Sequence, residues 1–162
     1  MALDAFIQFD GIPGESLDDQ HKNWIEILGY NFGTHQSASA TASSAGGASS
    51  GRTTVTTFNF SKLLDAASAK LLQASCAGQH FSKVTIAVHR AGGDKLKYYE
   101  IVLEEVIIAD YAQSASDGVP REVVQLDYGR IKTNYVQQRR SDGGGGGNVT
   151  GGWDRIKNTI YA

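Results

Sequence analysis

The sequence predicts a mainly β fold: an antiparallel β barrel of two sheets with one flanking α-helix and extended loops. Three observations predict it. About seven segments alternate apolar and polar residues at the period of a strand. Only residues 61–80 repeat apolar residues at spacings of three and four. Gly, Pro, Asp and Ser separate the periodic segments, as turns require. At 162 residues the chain is read as a single domain over residues 1–162.

The elements follow in order. In "ALDAFIQF" (2–9), Leu3, Ala5, Ile7 and Phe9 share one face, with Phe6 out of phase. "DGIPGES" is a turn. In "IEILGYNFG" (25–33) the alternation slips after Ile27. Tyr30 and Phe32 then form the apolar face, and Gly29, Asn31 and Gly33 face the other way. The slip predicts a bulge that re-aims the strand. Residues 36–51 are Ser, Ala and Gly and predict a flexible loop. "TTVTTFNF" (53–60) is a strand. The helix over 61–80 takes Ser61 as its N-cap and Gly78 as its stop.

"KVTIAVHR" (83–90) and "LKYYEIVLEEVIIADY" (96–111) are strands joined by a hairpin loop, "AGGDK" (91–95). The second changes phase between Leu103 and Val106, which predicts another bulge. "REVVQLDYGRIKTNYV" (121–136) is a strand with Gly129 near its phase change. "SDGGGGGNVTGG" (141–152) predicts a second flexible loop, and 153–161 a closing strand.

Composition excludes several classes. The net charge of -2 provides no general field for nucleic acid. One cysteine, Cys76, closes no intramolecular disulfide, which points to a reducing compartment. The N-terminus lacks the basic region of a signal peptide, and no apolar run approaches the roughly 20 residues of a membrane helix. The chain is expected to remain in the cytoplasm unless exported without a cleaved signal, and not to insert in a membrane.

No catalytic residues, cofactor or metal site are assigned. The four histidines form no zinc spacing. Asp18, Asp19 and His21 read as a solvated turn, and Cys76 as a buried, inert thiol. There is no phosphate-binding glycine motif and no nucleophile elbow. An enzyme is therefore not expected.

Charge is unevenly placed. Residues 1–30 carry six carboxylates against one lysine, and residues 121–162 seven cations against four carboxylates. Either the two segments pair within one sheet, or they meet across a head-to-tail subunit contact. The candidate contact residues are Asp18, Asp19, Glu26, Arg139 and Arg140.

Several stretches together resemble one known family. "FIQFDGIPGESLDDQHKNWIEI", "FNFSKLLDAASAKLLQASCAGQHF", "LEEVIIADY" and "VQLDYGRIKTNY", with a Gly-rich loop before "GW", are similar to the haemolysin-coregulated proteins (Hcp). These are tube subunits of bacterial type VI secretion systems. The resemblance spans essentially the whole chain. It implies a β barrel with a helix at its side, homo-hexameric rings and stacking into a tube. It implies as partners the contractile sheath, a spike protein (VgrG) and effectors carried in the lumen. It also implies export through the machine without a signal peptide. On this resemblance Gly29, Asn31 and Gly33 face the lumen. A monomeric β barrel binding a small ligand is the alternative.

Overall fold

Most strands form where alternation predicts them, and their partners decide how they wrap the core. The computed structural model of the chain describes residues 3–38, 50–90, 96–139 and 145–161. Its strands are β1 (Asp4–Phe9), β2 (Ile25–Ile27), β3 (Gly29–Asn31), β4 (Thr34–Ala38), β5 (Ser50–Val55), β6 (Phe58–Leu63), β7 (His80–His89), β8 (Lys97–Ser114), β9 (Arg121–Gln138), β10 (Gly145–Asp154) and β11 (Thr159–Ile160). The helix, α1, is Ser68–Ala77. Nine strands form one antiparallel sheet in the order β11-β10-β9-β8-β7-β1-β2, with β6 added to β9 and β3 to β6. The second sheet is the β4–β5 hairpin.

Among the described residues the chain is therefore mainly β, with two sheets and one helix. The predicted barrel does not close into a continuous ladder. Its gap lies between β2 and β6, where Leu28 N–H donates to Ser61 O at 2.7 Å. This also explains the slip in "IEILGYNFG". No extra residue is inserted. β2 pairs with β1, and β3 pairs with β6, so the chain changes partner at Leu28.

The core takes the apolar phase of each strand. Ile7, Ile25, Phe58, Phe60, Val84, Ile86, Ile101, Leu103, Val124 and Leu126 are buried together with Leu71 and Ala74 of α1. Burying each large side chain contributes roughly 1.5–3 kcal/mol. Tyr30 and Phe32 pack against this cluster as the alternation predicts, and both stack with Phe58. Phe6, the residue out of phase on β1, is also buried, but on the opposite face.

Four expectations change. First, the helix begins at Ser68, and Ser61 lies within β6. Strand pairing of Phe58–Leu63 with Arg121–Leu126 overrides the helical spacing there. Asp65 and Ser68 then start the helix, with Ala67 N–H donating to Asp65 Oδ1 at 2.9 Å and Asp65 N–H to Ser68 Oγ at 3.1 Å. Gly78 ends it in the left-handed region, as expected.

Second, β8 changes phase without an inserted residue. Glu104 pairs with Arg130 and Val106 with Tyr128 in unbroken register, so β9 turns over with it. The turn-over sits at Glu105, with φ 54°, and at Gly129, where a Cβ would lie 2.8 Å from Ile156 Cδ1. The ladder shifts later, between Ile108 and Asp110.

Third, residues 145–152, read as loop, form most of β10 and pair with β9. Residues 153–161 are therefore not one strand. β10 ends at Asp154, whose Oδ1 accepts from the N–H groups of Ile156 and Lys157 at 2.9 Å, and β11 returns as a short hairpin arm. Gln36–Ala38 and Ser50–Gly51 likewise belong to β4 and β5, while 39–49, 91–95 and 141–144 lie outside the described residues.

Fourth, Cys76 is exposed rather than buried, because α1 turns Leu71 and Ala74 inward.

Candidate assembly surfaces

One stretch of the sheet carries a polar face opposite the core. In it β3, β6, the first half of β9 and the second half of β8 lie side by side. Strand pairing aligns Asn31 with Asn59, Gln125 and Asp110, and Gly29 with Ser61, Val123 and Ala112. Directly opposed residues share a face. Asn59 Nδ2 donates to Asn31 Oδ1 at 2.8 Å, and Thr57 Oγ1 donates to Asn59 Oδ1 at 2.8 Å. Amide and carboxylate groups line one row, and small residues with the exposed Val123 line the other.

Gly29 and Gly33 need no special backbone here. A Cβ on Gly29 would come no nearer than 3.9 Å to Ser61 Oγ, and one on Gly33 would meet nothing within 4 Å. Open space lies over both. Gly33 also marks the entry to the β4–β5 hairpin, through Gly33 N–H to Thr56 Oγ1 at 2.8 Å and Thr56 N–H to Gly33 O at 2.9 Å. The sequence signal for Asn59 and Gln125 was the same alternation that flagged Asn31.

The acidic end is organised around the 10–24 segment, which folds over the outer face of β1 and β7. Asp18 is not a free rim charge. Its Oδ1 accepts from Gln20 N–H at 3.0 Å and His21 N–H at 3.2 Å, and lies 3.3 Å from His21 Nδ1. Asp19 and Glu26 are exposed. His21 is buried, which corrects the solvated-turn expectation. It stacks on Phe6, meets Trp24 edge-on and lies with its Nε2 3.4 Å from Nε2 of His89. Burial lowers the His21 imidazole below its ordinary pKa; the Asp18 hydrogen bond opposes this and His89 adds to it.

At the basic end, Arg130 pairs with Glu104 at 2.9 Å and Arg155 with Asp127 at 2.8 Å. Arg139 is exposed at the end of β9, and Arg140 lies outside the described residues. The sheet order separates these ends: β1 neighbours β2 and β7, and β10 neighbours β9 and β11. Pairing of adjacent strands within one sheet therefore does not explain the charge asymmetry.

A buried charged network was not anticipated. Lys62 Nζ lies 2.5 Å from Glu122 Oε1, 2.9 Å from Asp65 Oδ1 and 3.0 Å from Ser68 Oγ. Tyr111 OH and Gln113 Nε2 donate to Glu122 Oε2. The signal was present: Lys62 and Glu122 occupy the core phase of "FNFSKL" and "REVVQL".

The sequence and the fold match known proteins. The model for the family "Type VI secretion system effector, Hcp" matches residues 6–135. The chain belongs to the Hcp family. It is 31% identical to Protein hcp1 of Pseudomonas aeruginosa over 165 residues, covering 100% of each. A solved structure of a type six secretion system protein superposes with a TM-score of 0.91 at 31% identity, over 99% of this chain and 100% of the other. Hcp1 from Salmonella typhimurium superposes at 0.80 with 30% identity, over 99% and 100%. As an Hcp protein the chain belongs to the secreted components of type VI secretion. Among the described residues no helix is long and apolar enough to cross a membrane.

Proposed function

We propose that this Hcp protein is a non-catalytic subunit of the type VI secretion inner tube. It assembles into hexameric rings, the rings stack, and the tube is exported from the cytoplasm without a signal peptide. The sheath encloses it, the spike caps it, and effectors ride in its lumen.

The polar face of β3, β6, β9 and β8 carries this reading. A tube wall needs a wide, wet surface of small and polar groups, and the rows through Gly29 and Asn31 supply one. The same stretch has two open edges. Among the described residues β3 pairs only with β6, and β8 beyond Ile107 pairs only with β9. Open edges on opposite sides are what a head-to-tail ring uses. Asp19 and Glu26 of one subunit, both exposed, would meet Arg139 and Arg140 of the next, with Asp18 holding the turn that carries Asp19. The interior favours a wall over a ligand barrel, because Phe58, Ile86, Ile101, Leu103 and Leu126 fill it with no exposed area.

Size-exclusion chromatography with light scattering tests the ring. A particle about six times the 17.4 kDa subunit is expected. A monomer at every concentration and salt overturns it.

A further inference from the structure

Two imidazoles hold the 10–24 segment against the sheet. His21 and His89 are each only 5% exposed, and they touch through Nε2 at 3.4 Å. Phe6 stacks on His21 at 5.1 Å between centroids, while Trp24 and His89 each meet it edge-on at 4.5 Å. The rest of the segment bonds mainly to itself. Gly14 N–H donates to Asn23 O, Ser16 N–H to Trp24 O, and Asn23 N–H to Ser16 O. Among the described residues, the His21–His89 contact is a side-chain polar link between this segment and β7.

Protonation acts on that link in two steps. In the neutral pair one Nε2–H donates to the lone pair of the other ring. One added proton leaves that bond in place, since an imidazolium still has a donor for a neutral acceptor. A second proton sets two N–H groups and two positive charges against each other in a buried site. The surrounding charges divide. Asp18 on the segment supports a charged His21. Asp4 on β1 lies across the ladder from His89, and Glu26 on β2 lies across from Phe6. Lys97 on β8 opposes, although it is paired with Glu100 at 2.5 Å.

We propose that the His21–His89 contact is an acid-sensitive latch, and that doubly protonating it releases residues 13–24 from the outer face of β1 and β7. The latch belongs to the subunit itself and stands whether or not rings form. Release would displace Asp18 and Asp19 along with the segment.

Hydrogen exchange read by mass spectrometry on the full chain from pH 7.5 to 5 tests it, with rates corrected for intrinsic pH dependence. Protection of 13–24 falls by up to about tenfold per pH unit below about 6.5, the limit for one differentially bound proton, while residues 84–88 of β7 keep theirs. In His89→Gln, which removes the second ring, the fall is smaller, leaving only what the burial of His21 itself contributes. Unchanged protection in the native chain, or the same loss in His89→Gln, overturns the latch. Histidine NMR of the native chain gives an independent reading if the variant folds poorly. His21 and the signals of 13–24 should change at one shared pH below the ordinary histidine value. His21 titrating while those signals stay fixed also overturns the latch.

Discussion

Lys62 on β6 and Glu122 on β9 meet at 2.5 Å with no solvent exposure on either side chain, beneath the start of α1. Ser68, the first residue of α1, bonds both partners. The pair therefore ties helix to sheet at one point. A buried charge left without its partner is severely destabilising, whereas exchange of both partners for apolar groups of similar size is often tolerated. Lys62→Met and Glu122→Leu singly should each lose about 3–5 kcal/mol in urea unfolding. The double variant should recover much of that loss. Additive losses would show that the two groups do not act as a pair.

Tyr128 gives an alkaline signature. Its hydroxyl donates to Thr56 O at 3.0 Å beside the β4–β5 hairpin. Burial pushes it up to about 12, with Arg155 pulling down and Asp127 adding to the rise. The folded chain thus keeps a proton that the unfolded chain loses near pH 10. This contribution to stability is complete below pH 10 and is lost as pH rises from 10 to about 12. Absorbance titration of tyrosinate should show a late component that disappears in Tyr128→Phe. A late component that survives in the variant belongs to another tyrosine.

Two glycines should respond oppositely to a methyl group. Gly29→Ala meets no atom nearer than 3.9 Å and should change stability by no more than about 0.5 kcal/mol. In Gly152→Ala the new Cβ would lie 2.0 Å from Tyr161 O and 2.5 Å from Ile131 O. Loss of the β10–β11 hairpin, or a melting temperature lower by several degrees, is expected. Equal melting temperatures for the two variants would contradict the packing around Gly152.

The proposed lumen face has its own test. Asn31 is exposed and bonds to Asn59, so Asn31→Trp should fold and assemble but alter co-elution of effectors. Collapse of folding would place Asn31 in the core instead.

The proposed charge contact is tested by Arg139→Glu with Arg140→Glu. Assembly should weaken most at low salt, because exposed charges interact over about 10 Å at 0.1 M ionic strength and farther below it. Unchanged ring mass at all salts would show that these arginines do not face an acidic neighbour.

The sequence by itself determined which residues alternate. Ala5, Ile7 and Phe9, then Phe58 and Phe60, then Val84, Ile86 and Val88 declare a β core through local periodicity, which depends only on backbone geometry. The family was legible for the same reason, in contiguous stretches such as "GIPGES" and "IEI". Tertiary structure alone decided what each strand pairs with. The phase slip at Leu28 was visible, but not that β2 and β3 serve different neighbours. The phase changes at Glu105 and Gly129 were visible, but not that they coincide across one ladder. A glycine-rich tract became β10 because β9 offered it an edge, and glycine pairs through its backbone without a side-chain signal. His21 with His89, and Lys62 with Glu122, lie far apart along the chain. Their burial and their contacts arise only when the sheet brings them together.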